Sequence, residues 1–327
     1  MPPLSLPTSS KPITLTGILK AHLAIMRLDH SLKNIFVLPG VVVPITLLHL
    51  PISIAFWKRL AIGFAATTLI ACSNYVINEV LDAPFDRLHP TKKNRPAALG
   101  LVSVPLAYVQ WLAMMAAGIT LGLTISHAFT VALASLWIMG CFYNIRPFRT
   151  KDVAYLDVVT ESVNNPLRML LGWYMVTSTI VPPASLLIFY WMIGCYFMAL
   201  KRFSEYRDIG DKAVSGAYRA SFRHYDERNL LCSITFYAAV AMLFFGAFVM
   251  RYKLELIGAF PFIAIMMATY FNMAFEPESA VQNPEKLYRH RLLMVEVIVT
   301  ICVICALLYF RILWIEHIFA PTLPALN

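Results

Sequence analysis

Nine apolar runs, each close to the thickness of a bilayer core, confine this chain to one broad architecture. They fall near residues 35–55, 58–81, 102–123, 126–145, 153–176, 184–203, 229–250, 255–275 and 292–314. A hydrocarbon core of about 30 Å takes roughly 20 helical residues to cross. Within it, a spanning segment must satisfy its own backbone hydrogen bonds. The runs therefore predict an all-α, polytopic membrane helix bundle of about nine transmembrane helices, forming a single integral-membrane domain over residues 1–327. Residues 1–17, polar and Pro-rich without the apolar region and cleavage site of a signal peptide, are expected to form a disordered tail. Composition agrees, since 59% of residues are hydrophobic and 14% charged, against about 25% charged in a soluble domain.

Most of the 27 basic residues collect on one side of the expected bundle. Lys11, Lys20, Arg27 and Lys33 precede the first run, Arg87, Lys92, Lys93 and Arg95 follow the second, and Arg146, Arg149 and Lys151 follow the fourth. A further group from Lys201 to Arg228 follows the sixth, whereas only Lys58, Arg59, Arg251 and Lys253 fall opposite. The positive-inside rule then places the N-terminus and the charged loops in the cytoplasm, with the plasma membrane as the expected location. A net charge of +9 concentrated on that face suits anionic membrane lipids or a phosphorylated substrate. Nucleic-acid binding needs an exposed basic domain, which the pattern does not contain. All six cysteines lie in or beside apolar runs, where packing is expected and no disulfide framework is.

The second run ends in Asn78-Glu79-Val80-Leu81-Asp82-Ala83-Pro84-Phe85-Asp86-Arg87. Asn78 and Asp82, four apart, share one side of a helix and can converge on a hard cation. Pro84 lacks an N–H and is expected to end the helix near Asp82, with Asp86 reaching back from a turn. A solvated, charged helix end is the plainer alternative. The fifth run carries Asp157, Glu161, Asn164, Asn165 and Arg168 at helical spacing, one polar stripe. Asp157, Glu161 and Arg168 would cost about 3 kcal/mol each in lipid, and the nine Val and Leu of that run return only about 4–5 kcal/mol. The stripe must therefore turn inward, either to line a cavity or to join helices through an ion pair to Arg168.

Two further groups border the same face. The run from Tyr143 to Asp152 offers Arg146 and Arg149 for forked contacts with phosphate oxygens and Lys151 as a point charge. Lys201, Arg202 and Glu205 close the sixth run, where a surface ion pair between Lys201 and Glu205 is the plainer expectation. Arg27, His30, Lys33 and Asn34 come from the first stretch. Long polar loops at 82–101 and 201–228 suggest a lid. Carboxylates ringed by cations at the ends of apolar helices suit a diphosphate held through Mg²⁺, which takes one or two carboxylates plus phosphate oxygens. Apolar walls would admit a lipid chain.

These residues resemble the UbiA superfamily of intramembrane prenyltransferases. Asn78, Asp82 and Asp86 are similar to its first motif, NDxxDxxxD, with Glu79 in place of an Asp; Tyr143 to Asp157 is similar to its YS-x-x-P-x-R-x-K stretch, with Asn144 where Ser is common. The stretch Asp86 to Pro96 and the run Ala199 to Glu205 resemble the polyprenyl-phosphate phosphoribosyltransferase branch, as does Lys33-Asn34. The resemblance implies a Mg²⁺-dependent transferase that displaces diphosphate from an activated donor, with a polyprenyl lipid as partner. It implies metal ligation by Asn78, Asp82 and Asp86. Phosphates would be steadied by Arg146, Arg149, Lys201 and Arg202, and an oxocarbenium-like state by Asp157 or Glu161. Lys33, Arg95, Tyr143, Lys151, Asn165, Arg168 and Glu205 complete the expected substrate-binding set. Prenyl transfer to an aromatic or lipid acceptor is the alternative within the superfamily. A transporter is the alternative outside it, although no internal repeat is visible.

Overall fold

The computed structural model describes residues 15–87, 92–210, 216 and 219–319, and for residues 15, 30–33 and 284–286 the backbone alone. Among the described residues every regular element is helical. Helix α1 (Leu15–Ile25) leads through a 3-10 segment (Leu28–Val37) into α2 (Leu38–Leu48). Then come α3 (Ile54–Asp86), α4 (Val104–Leu123), α5 (His127–Asn144), α6 (Leu156–Ser162) and α7 (Asn164–Val176). The remainder comprises α8 (Ala184–Ile209), α9 (Glu227–Tyr252), α10 (Phe260–Met273), α11 (Arg291–Tyr309) and α12 (Leu313–Ile318). The expected tail is shortened by this, because residues 15–17 already belong to α1, and residues 1–14 lie outside the described residues. Side-chain caps set several starts: Ser53 accepts from the Phe56 N–H, Ser126 from Phe129 and Asp226 from Asn229, each worth about 1 kcal/mol.

Six helices among the described residues are long and apolar enough to cross a bilayer: α3, α4, α8, α9, the stretch Leu254–Met273 that contains α10, and α11. The other three expected spans depart from simple rods. The first divides between the 3-10 segment and the 11-residue α2, which carries Pro44 inside it. The fourth is α5, 18 residues long and polar at both ends. The fifth is broken between α6 and α7 at Val163. Pro166 explains that break, because it has no N–H to return to the Ser162 carbonyl. Nearby, the Trp191 indole donates to the Val159 carbonyl at 3.0 Å, which ties the end of α6 to α8.

Pro84 does not end α3, contrary to the expectation. The helix runs on to Asp86, and the Arg87 N–H still reaches the Ala83 carbonyl at 3.3 Å. A proline three residues from a helix end forfeits one hydrogen bond and leaves the turn otherwise intact. Asn78, Asp82 and Asp86 consequently sit on one helix at steps of four.

The helices pack as two connected lobes. Ile70, Leu133, Leu136 and Leu171 belong to a core shared by α3, α5 and α7, beside a smaller one from α1, α3 and α4. Tyr196, Phe203, Phe245 and Met267 belong to a core shared by α8, α9 and α10. Helix α7 contributes to both, and α11 touches α2, so the ring of helices closes. Side chains such as Val109 on α4, Leu243 on α9 and Ile298 on α11 remain exposed, as expected of a surface in contact with lipid.

In such a bundle close packing, not water exclusion, joins the helices. Gly40 and Gly172 make the tightest crossing, where a methyl on Gly172 would stand 2.1 Å from the Val37 carbonyl oxygen and one on Gly40 2.0 Å from that of Met169. Backbone atoms cannot step aside. Gly172→Ala is expected to lose about 3 kcal/mol and to lower the unfolding temperature of the detergent-solubilised protein, as read by a thermal unfolding scan. Gly246→Ala, where only Phe260 comes near at 3.9 Å, should leave that temperature unchanged.

Candidate active site

The last two turns of α3 meet the segment that follows α5. Asp82 Oδ1 accepts from Arg149 at 2.9 Å and from Lys151 at 2.5 Å. Asn78 donates to the Asn144 side-chain oxygen at 2.5 Å, and Lys151 donates to the same oxygen at 2.8 Å. Arg149 is fixed further by Asp152 at 2.8 Å and by the Asn144 carbonyl at 3.2 Å, with its guanidinium 4.9 Å from the Phe85 ring centre. One turn on, Asp86 pairs with Arg95 at 2.7 Å. Burial pushes the Lys151 ammonium down to about 8, against the pull of Asp82.

A second cluster centres on Asp157, at the start of α6, whose relative exposure is 0%. Four groups surround its carboxylate: the Tyr225 hydroxyl at 2.5 Å, Arg202 Nε at 3.0 Å, Ser221 Oγ at 3.2 Å and Arg219 Nε at 3.4 Å. The Tyr225 oxygen in turn accepts from the Tyr155 N–H at 2.7 Å. Burial and the adjacent carboxylate raise the Tyr225 phenol well above its ordinary range, so it stays a donor. Arg202 also reaches Glu205, at 2.7 Å. Tyr143 joins the two clusters, accepting from Arg219 at 3.0 Å while the Lys151 ammonium lies 5.8 Å from its ring centre.

Beside Asp86 a groove of about 360 Å³ opens, lined by Ala24, Arg27, Asp29, Glu79, Lys92, Asn94, Arg95 and Pro96. Burial, and the neighbouring Arg219 and Arg95, hold Lys92 at about 8 although Glu205 pulls the other way. Polar groups dominate this wall.

The expected residues distribute unevenly over this arrangement. Asn78, Asp82, Asp86, Arg95, Tyr143, Arg149, Lys151, Arg202 and Glu205 all enter the connected clusters. Arg146 does not, being exposed in the loop after α5 while the chain folds Arg149 inward. Asp157 cannot meet a reacting carbon as expected, because it is enclosed and both its oxygens are occupied; it positions Arg202 and Arg219 instead. Glu161 is half-buried and has no hydrogen-bond partner among the described residues. Glu205 pairs with Arg202, three residues before it, at 2.7 Å, and also lies within electrostatic reach of Lys201. Asn165 packs on α8, where the absent side chain of Gly194 makes room for it, and Arg168 is buried on α7. The Lys33 side chain, His89, Asp211 and Lys212 lie outside the described residues. Asn144, Arg219, Ser221 and Tyr225 were missed as site residues. Asn144 stood out only as a departure from a motif, and the other three occupy a loop with no periodic signal.

No group of three or more His, Cys, Asp or Glu side chains able to hold a metal alone occurs among the described residues. The donor set nonetheless fits a magnesium ion bound together with a phosphorylated ligand. Asp82 uses only Oδ1 and Asp86 only Oδ2 for its cations. Among the described residues the other oxygen of each has no hydrogen-bond partner. Two such carboxylates with phosphate oxygens and water are what Mg²⁺ prefers.

Comparison with known proteins accords with this geometry. The chain is 29% identical over 209 residues to decaprenyl-phosphate phosphoribosyltransferase of Mycolicibacterium smegmatis, a match covering 61% of this chain and 60% of that one. It is 30% identical over 157 residues to protoheme IX farnesyltransferase of Legionella pneumophila, covering 46% and 52%. In each case the chain spans less than two thirds of the relative's length. A UbiA homologue from Archaeoglobus fulgidus, solved bound to GPP and Mg²⁺, superposes with a TM-score of 0.61 at 16% identity, over 88% of this chain and 98% of that one. That likeness concerns the fold. The model of the UbiA prenyltransferase family matches residues 37–294, and the chain is an integral membrane protein that belongs to this family.

Proposed function

We propose that the chain transfers phosphoribose from phosphoribosyl diphosphate to a polyprenyl phosphate, with Mg²⁺ held by Asn78, Asp82 and Asp86 at the cytoplasmic face of the plasma membrane. The supporting observation is the connected line of polar contacts from Asp82 through Lys151, Tyr143 and Arg219 to Asp157. It brings the α3 motif and the α6 cluster into one site. Bound Mg²⁺ would neutralise charge on the departing pyrophosphate.

The chain's own groups perform the remaining tasks. Arg149 contributes forked contacts and Lys151 a point charge, both transferable from Asp82 to diphosphate oxygens. Arg202, held by Asp157 and Glu205, keeps a fixed orientation toward the same charge. An oxygen of the lipid phosphate bonds to the anomeric carbon as the bond to diphosphate breaks, and pyrophosphate leaves with that electron pair. Glu161 is the carboxylate left available to oppose the developing positive charge. The polar groove with Arg27, Lys92 and Arg95 suits a sugar phosphate better than a hydrocarbon tail. Prenyl transfer from a prenyl diphosphate is the second reading, favoured by the match to the farnesyltransferase.

Purified protein in vesicles, given Mg²⁺ and labelled phosphoribosyl diphosphate with decaprenyl phosphate, is expected to move label into the lipid fraction. Labelled prenyl diphosphate should not yield a labelled product. Removal of the metal with EDTA should stop the transfer and added Mg²⁺ restore it. Asp82→Asn should lower the rate at least about 100-fold. Label entering only from the prenyl donor exchanges the two readings, while no label from either, with Asp82→Asn indistinguishable from the parent, excludes the transferase site.

Lys92 supplies a pH signature. With its ammonium at about 8, raising the pH from 7 to 9 removes a positive charge from the groove, so KM for the diphosphate donor should rise several-fold. Lys92→Arg keeps its charge throughout. A KM for this variant that still climbs as in the parent would separate the groove from donor binding.

A further inference from the structure

We infer that Arg168 forms a second anion subsite, inside the membrane-spanning part of the bundle, that receives the negatively charged group of the acceptor. The assignment rests on the transferase reading, but the residues that carry it are separate from the diphosphate cluster. Arg168 lies on α7 and is 8% exposed. Its Nε is buried with no hydrogen-bond partner, and no carboxylate among the described residues comes within ion-pair distance. Every arginine of the α3 and α6 clusters, by contrast, holds a carboxylate. A buried guanidinium without an anion is strongly disfavoured in apolar surroundings unless a ligand completes it.

The surroundings add two observations. One turn earlier on α7, the Asn164 side-chain oxygen is likewise buried and unpartnered. Arg168 also lies within electrostatic reach of Tyr190 on α8, whose hydroxyl donates to the Phe36 carbonyl at 3.1 Å. Phe36 shares its 3-10 segment with Asn34, whose own side-chain oxygen is buried without a partner while its amide donates to Thr68 at 2.9 Å. Helix α7 and the 3-10 segment thus present a cation and open polar atoms beside the apolar Leu, Met and Trp side chains of α7. The guanidinium calls for an oxyanion and the open amide oxygens call for a donor, so the fitting group is an anion with a hydroxyl on the same amphipathic molecule: a phosphate monoester on a polyprenol, whose P–OH can donate, or a carboxylate on a hydroxylated aromatic ring.

Thermal unfolding of the purified full chain in detergent tests the subsite without relying on turnover. Decaprenyl phosphate, 4-hydroxybenzoate, and their uncharged counterparts decaprenol and methyl 4-hydroxybenzoate are added in turn. One of the two anions should raise the unfolding temperature of the parent and its uncharged counterpart should not; whichever anion acts tells the lipid phosphate from the aromatic carboxylate. Arg168→Gln should abolish the shift, and its affinity for the active anion should fall at least about tenfold, with Arg168→Lys intermediate. Without ligand, Arg168→Gln should unfold at the parent's temperature or above it, because an uncompensated buried charge has been removed. Two results from the variant overturn the proposal: an Arg168→Gln protein that unfolds well below the parent while unliganded, which marks a structural arginine, or an Arg168→Gln protein that responds to the anion as the parent does. A parent unmoved by either anion overturns it too. Transfer activity that survives in Arg168→Gln with unchanged acceptor KM defeats this subsite alone, whereas loss of label incorporation with the anion shift retained defeats the phosphoribosyl reading alone.

Discussion

A carboxylate withdrawn from water must be met by donors, and that requirement organises the working end of this protein. Asp82 and Asp157 meet it in different ways. Asp82 shares one oxygen between two cations and keeps the other, so its neutralisation is exchangeable. Asp157 is occupied on both oxygens and completely enclosed. A carboxylate of the first kind can trade a protein cation for a ligand, whereas one of the second kind can only hold its neighbours in place. The two carboxylates therefore differ in what their surroundings permit, although both appear in the sequence as acidic residues near apolar runs.

Helix periodicity made a large part of this legible. The fourfold spacing of Asn78 and Asp82 anticipated a shared face, and the intramembrane cost of Asp157, Glu161 and Arg168 anticipated an inward stripe. Two local features misled. Pro84 suggested a helix end that the structure does not have, since a proline near the last turn loses a single bond. Pro166 lay inside a run read as one span and instead divides it. The partners of Asp157 were illegible for a different reason. Ser221 and Tyr225 lie 64 and 68 residues away, in a loop without amphipathic rhythm, so nothing local announces the contact. Arg146 and Arg149 looked equivalent as sequence, and only the folded turn separates an exposed side chain from a buried one.

The broken fifth span gives its two halves different anchors. Helix α7 is pressed against α2 through Gly40 and Gly172, where main chains nearly touch. Helix α6 is tied by side-chain polar contacts to α8 and to the segment around Ala220–His224. Van der Waals packing thus fixes the deep half and hydrogen bonding the shallow half. The Trp191 indole, donating to the Val159 carbonyl, adds a tie between α8 and the end of α6 beside the junction.

The long sequence separation of the Asp157 contacts bears on how the protein is made. Arg202 is 45 residues downstream of Asp157, and Tyr225 is farther still. When α6 first emerges during synthesis, Thr150 is already present to meet Thr160, but the side chains that enclose Asp157 are not. A seven-residue helix is too short to persist unaided. The enclosure of Asp157 can therefore be completed only after Arg202 and Tyr225 have been made.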